Sequence, residues 1–173
     1  EGLVDGIEIT NGKDFYPEIV GRAIEKGLYM VSATDIHATT ASIYGKQNFY
    51  RDMTLIFAKD KSEKSLREAI EARRTLALSF GTLAGEETLV RKVFEATVSA
   101  RKTVVDYKNR AEVILTNNSS IEWLLCFEGQ KMVILEPNSS TMVRLSLDGS
   151  KAVTVLNTWC GENKHLVHEF KLD

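Results

Sequence analysis

The sequence predicts an α/β fold in two parts: a layer of parallel strands with covering helices over residues 1–100, then a small antiparallel β-sandwich or barrel over 101–173. Three observations carry this. The chain opens strand, helix, strand, which is the βαβ unit of a parallel sheet. Short apolar runs and amphipathic helices then alternate as far as Val98. From Arg101 helical spacing gives way to β-prone segments punctuated by Asn, Gly and Ser.

Leu3 to Ile9 is short, rich in Val and Ile, and runs into Thr10-Asn11-Gly12, so it reads as a buried strand ending in a loop. Asp14 precedes FYPEIVGRAIEKG, where Pro17 falls in the first turn, Ile19, Val20, Ala23 and Ile24 keep helical spacing, and Gly27 stands past the end. This is a helix capped by Asp14. Leu28 to Ser32 is the next strand. Thr34 to Tyr50 is polar, irregular and too long for an idle connection, so it is expected to be functional and the first point of proteolytic attack. Met53 to Ala58 is a strand, Ser62 or Ser65 caps the helix SLREAIEARR, and Thr75 to Ser79 is a strand. Glu86 to Val98 is a helix with Leu89, Val90, Val93, Phe94 and Val98 on one stripe. Beyond it TVVDY, AEVILTN, IEWLLCFE, KMVILE, TMVRLSL, KAVTVLNTW and HLVHEFKL are separated by turns such as NNSS and DGS, placing the boundary between Ser99 and Lys108. Asn118-Ser119-Ser120 and Asn138-Ser139-Ser140 have the sugar-acceptor pattern but fall in such turns, where Asn and Ser belong.

The 173 residues are 43% apolar and 27% charged with a net charge of -2, which argues against a dedicated nucleic-acid or anionic-membrane surface. The apolar stretches are short and broken by charge, so none spans a bilayer as a helix. Glu1 leads almost directly into a strand-like run, so the chain reads as a fragment of a longer protein whose compartment stays open. Cys126 and Cys160 could pair or could be small buried apolar residues.

The chemistry concentrates where an apolar strand ends in Asp35 and His37. Side chains two apart on a strand share a face, and in a turn beyond it the two can still converge. A carboxylate oxygen with a neutral imidazole nitrogen suits Zn, Mn or Fe rather than Mg or Ca. The competing reading of the bare pair is an aspartate capping a loop beside a hydrogen-bonded histidine. Glu8 and Asn11 lie at or beyond another strand end and could line the same mouth, while Asn11 with Gly12 also makes a plain turn. Arg51 could meet a substrate phosphate through its planar fork or form a salt bridge from a surface loop. His165 and His168, three apart, fall on opposite faces of a strand and read as surface or packing residues.

The order VDGIEI, YPEIVGRAIEKGL, SATDIHA and MTLIFAKDKSEKSLREAIEARRTLA resembles the carboxyl-terminal half of a PHP (polymerase and histidinol phosphatase) domain, and is similar to the Sb-PDE-type metal-dependent phosphodiesterases over essentially the whole chain. The resemblance implies the last part of a distorted β/α barrel of parallel strands, with divalent metal ions at the strands' carboxyl ends and a phosphate-ester substrate. It makes Asp35 and His37 the last two metal ligands and places the others in an amino-terminal half that this chain lacks. The fragment is then expected to bind metal weakly or not at all, to be inactive alone and, with an exposed strand edge, to self-associate. The alternative is a non-catalytic binding module whose β domain docks a partner or glycan; Trp123 and Trp159 sharing an exposed face would favour it.

Overall fold

The computed structural model describes residues 2–44 and 51–172. They divide into two compact units, Glu1–Val90 with Thr158–Lys164, and Arg91–Asn157 with His165–Asp173. Residues 45–50 of the expected Thr34–Tyr50 connection lie outside the described residues.

In the first unit β1 (Gly6–Asn11), β2 (Asp14–Phe15), α1 (Pro17–Lys26) and β3 (Tyr29–Ala33) form the opening βαβ unit, with β1 and β3 parallel from Gly6↔Tyr29 to Asn11↔Ala33. The register shifts between Glu8 and Thr10, a bulge at Ile9. Asp14 does not cap α1. It pairs with Asn11 across the β1–β2 hairpin, and Tyr16 takes the N-cap position without a side-chain bond. Gly12, at φ 59°, allows that tight turn, and a pre-set proline φ starts the helix where a capping side chain was expected. Gly27 ends α1 as expected, left-handed at φ 63° with its N–H directed to the Ala23 and Ile24 carbonyls.

Next come α2 (Thr40–Tyr44), β4 (Met53–Ile56), α3 (Glu63–Glu71), β5 (Thr75–Ser79) and β6 (Thr82–Ala84). Here the expected fold class fails. β4 pairs antiparallel with β5 from Met53↔Leu78 to Ile56↔Thr75, and β5 antiparallel with β6. The described residues are 40% strand and 21% helix in four small antiparallel or mixed sheets, so they are not the end of a β/α barrel of parallel strands. The reason is geometric: helical spacing reveals which face of α3 is covered but not the direction in which the chain returns. Residues 57–62 run out, α3 runs back, and the Phe57 N–H to Arg74 carbonyl bond at 3.0 Å closes the excursion beside the strand it left. Arg74 tightens the neck through Nε to the Phe57 carbonyl, 3.0 Å, and an ion pair with Glu68. Ser62, one of the two caps expected, accepts the Ser65 N–H at 3.2 Å.

The division between units falls within α4 (Glu87–Thr97). In the second unit β7 (Val98–Val105), β8 (Arg110–Asn117), β9 (Trp123–Phe127), β10 (Val133–Leu135), β11 (Ser140–Ser146) and β12 (Ala152–Val155) follow. Then β13 (Thr158–Trp159) returns to the first unit, parallel to β6, before β14 (Leu166–Glu169) rejoins the second. The second unit holds two sheets, β11-β8-β7 and β10-β9-β12-β14. Strict alternation buries Ala111, Val113 and Leu115 from β8 and Trp123, Leu125 and Phe127 from β9, the pattern of a sandwich. In the first unit Ile9, Val20, Ala23, Met30, Ala77 and Ala84 form the core, with Phe15 and Trp159 packed on it.

Candidate functional site

Parallel pairing brings the carboxyl ends of β1 and β3 together, with Asn11 opposite Ala33 and the Gly12 N–H donating to the Ala33 carbonyl at 2.9 Å. One residue earlier the Thr10 and Ser32 hydroxyls meet across the pair. Ser32 also reaches β4 and β5: its N–H donates to Thr54 Oγ1 at 3.0 Å, and its hydroxyl to the Leu78 carbonyl at 3.3 Å. These bonds satisfy polar groups that partly buried strand positions would otherwise leave unpaired, and they fix where the chain leaves β3.

Two residues past β3, Asp35 takes a φ of 45°, a left-handed conformation that Asp tolerates better than most residues. The turn brings His37 back, so that its Nε2 lies 3.3 Å from Asp35 Oδ1, with the two side chains 87% and 61% exposed. Bonds of about 2.0–2.2 Å to a tetrahedral ion place an imidazole nitrogen and a carboxylate oxygen about 3.3 Å apart, so the pair fits two corners of such a sphere. The same separation serves a His–Asp contact without an ion. Among the described residues no group of three or more His, Cys, Asp and Glu could hold a metal.

The other sequence candidates make no hydrogen bond or ion pair with Asp35 or His37 among the described contacts. The Asn11 side-chain amide donates to Glu8, so these two residues are partnered with each other. Arg51 is exposed two residues before β4, where its charge acts on the Tyr44 phenol. A cavity of about 950 Å³ in the same unit is lined by Leu28, Tyr29, Leu66, Ile70 and Arg73. It opens by the beginning of β3, whereas Asp35 follows its end.

Sequence reading passed over Asp52. This residue is only 3% exposed, and its Oδ2 accepts the Tyr44 hydroxyl at 3.3 Å, while Oδ1 has no hydrogen-bond partner among the described residues. Burial raises its pKa, and the Ser79 and Tyr44 hydroxyls hold back part of that rise. The Tyr44 phenol is raised too, by burial first and by the Asp52 charge second, and its ring lies 5.8 Å from that of Phe80. An acid just before an apolar strand reads locally as a solvated loop charge; nothing in the spacing marked it as buried.

In the second unit Trp123 is fully buried, edge-on to Phe94 at 5.3 Å. In the first, Trp159 stands edge-on to Phe15 at 5.6 Å. Trp123, being fully buried, cannot share an exposed face with half-buried Trp159, the feature that would favour the binding-module alternative. His168 is largely buried between Phe94 and Phe170, with Nδ1 3.5 Å from Glu95 Oε1.

No family model matches the chain, and no curated protein matches it. Among solved structures it is similar to a two-domain protein from Bacteroides vulgatus ATCC 8482 containing a predicted PHP-like metal-dependent phosphoesterase. The TM-score is 0.87 at 27% identity, covering 97% of this chain and 52% of that one. The chain thus spans about half the length of that neighbour, and the likeness supports a relationship to PHP-like phosphoesterases at that coarse level.

Proposed function

We propose that this chain is the carboxyl-terminal part of a metal-dependent phosphoesterase of the PHP superfamily, of the Sb-PDE phosphodiesterase type, in which Asp35 and His37 are two of the metal ligands. The observation that supports it is the 3.3 Å approach of His37 Nε2 to Asp35 Oδ1 just past β3, in a chain whose neighbour contains a predicted enzyme of that kind. Asp35 offers a charged oxygen and His37 a neutral nitrogen, a donor pair that suits Zn, Mn or Fe. With Nε2 as the ligating atom, the ring proton sits on Nδ1, and protons compete with the ion for the nitrogen. Asp35 and His37 would hold the ion together with further ligands, and the chemistry it would supply is polarisation of a phosphate ester and a lowered pKa for a bound water. Arg51 is our candidate for a phosphate oxygen, which its planar fork fits, and Asn11 with Glu8 borders the same strand ends.

Two donors do not close a site, so the proposal places the remaining ligands outside this chain and expects the chain alone to hydrolyse nothing. Loss of residues that merely support a ligand costs roughly 10–100-fold, so loss of a ligand should cost at least about a hundredfold. The test is turnover of bis(p-nitrophenyl) phosphate with added Mn or Zn. The protein that contains this chain together with the missing ligands should turn over, and Asp35→Asn or His37→Ala should lower its kcat by at least that factor with the fold retained. Indifference to His37→Ala would refute the ligand assignment, and strong turnover by the 173-residue chain would refute the divided site.

A further inference from the structure

Asp52 is the buried acid of the first unit that the reaction does not use. Its Oδ2 holds the hydroxyl of Tyr44, the last residue of α2, and Tyr44 follows His37 by seven positions on the same connecting segment. That segment has two ends in the described structure. At one, the Ala33 carbonyl is held by the Gly12 N–H at 2.9 Å. At the other, α2 starts on a turn in which Thr39 Oγ1 accepts the Ser42 N–H at 3.3 Å, and it ends on Tyr44, itself buried. Asp35 and His37 stand between these points, both exposed. Little else in the described contacts fixes them, because exposed turn residues have few packed neighbours to limit their motion.

We propose that Asp52 is a positioning residue: by gripping Tyr44 it ties the far end of the Asp35–His37 segment to the β4–β5 pair and so sets where the two candidate ligands stand. The grip depends on protonation. A carboxylate with one oxygen unpartnered and 3% exposure is costly to ionise, so the neutral acid is favoured in the closed form. The groups set against it are the Tyr44 phenol from α2 and the neutral Ser79 hydroxyl from β5. Arg51, next in the chain, acts on Tyr44, and Lys46 lies outside the described residues. Opening α2 lets water reach the carboxylate. The opening equilibrium therefore rises with pH above the ordinary Asp range, and levels off once Asp52 ionises in the closed form as well.

The role as a positioner of ligands rests on the metal reading above; the anchor itself does not, and the experiment separates them. In the 173-residue chain, amide hydrogen exchange at Ser42, Ile43 and Tyr44 is compared between the native protein and Asp52→Asn, Asp52→Ala and Tyr44→Phe. The protection of the native protein relative to Asp52→Asn should fall as the pH rises above 4, by up to about tenfold per pH unit before it levels. Tyr44→Phe should exchange at least about tenfold faster in α2 while β5 amides stay protected. A pH-independent ratio, or α2 protection unchanged in both Tyr44→Phe and Asp52→Ala, overturns the anchor. Mn-induced broadening of the His37 ring proton supplies the second readout. It should weaken in Asp52→Ala and be kept in Asp52→Asn. Broadening as strong in Asp52→Ala as in the native chain would overturn the role of Asp52 in positioning the ligands, while the exchange data still decide the anchor.

Discussion

His168 shows how far a residue's behaviour depends on neighbours that its own stretch of sequence does not reveal. Its ring is wedged against Phe94 and Phe170, so burial lowers its pKa first; the Glu95 charge opposes that shift and the Arg91 charge adds to it. The unfolded chain then takes up a proton more readily than the folded unit. Stability of the second unit should be fully present above about pH 6.5, the ordinary histidine value, and fall as the pH drops through the window between that and the lower folded pKa. His168→Gln, which cannot charge, should flatten this part of the acid profile. Trp123 fluorescence in a Trp159→Phe background reports the unit concerned, and an unchanged acid profile in His168→Gln would exclude the residue as its source.

At the scale of elements, α1 carries a glycine that helix propensity alone would replace. Gly→Ala inside a helix gains about 0.5–1 kcal/mol when the methyl group is free. A Cβ on Gly21 would instead sit 2.8 Å from the Glu162 backbone nitrogen and 3.0 Å from its Cβ, on the segment that returns to the first unit. Overpacking against backbone costs about 1–3 kcal/mol, so the clash outweighs the propensity gain and Gly21→Ala should lower the urea midpoint of the first unit. A raised midpoint would mean that the returning segment yields without cost. The same element shows what the sequence made legible: Ile19, Val20, Ala23 and Ile24 at helical spacing and the Gly27 stop are local signals, and α1 obeys them. Strand direction is not local. β4 and β5 looked like members of a parallel series because a helix lies between them, and only the Ile56↔Thr75 pairing reveals the turn back. The candidate site divides in the same way. Asp35 and His37 are two positions apart and were readable as a pair, whereas Asp52 acquires its character from Tyr44 and from Ser79 on another strand.

At the scale of the whole molecule the chain crosses between its two units more than once, and this decides what can be cut. The first unit is completed by Thr158–Lys164. There β13 adds a parallel strand to β6 through Thr158↔Leu83 and Trp159↔Ala84, the Gly85 N–H donates to the Trp159 carbonyl at 3.0 Å, and Trp159 packs edge-on against Phe15. Truncation after residue 100 keeps all of Glu1–Val90 but deletes this strand. It uncovers the edge of β6, where Leu83 and Ala84 are buried, and removes the largest side chain packed on the core of Ile9, Val20, Ala23 and Met30. Deleting a fully buried aromatic costs about 3–5 kcal/mol, and half-buried Trp159 forfeits part of that, against a total domain stability of about 5–15 kcal/mol; the lost strand pairing adds to it. Residues 1–100 alone should therefore unfold without a sharp denaturant transition and show collapsed amide dispersion, although every helix and strand up to α4 is present. Recovery of dispersion on adding a peptide of residues 156–166 would locate the defect in the missing strand, and a cooperative transition for 1–100 at the midpoint of the intact chain would show that β13 is dispensable.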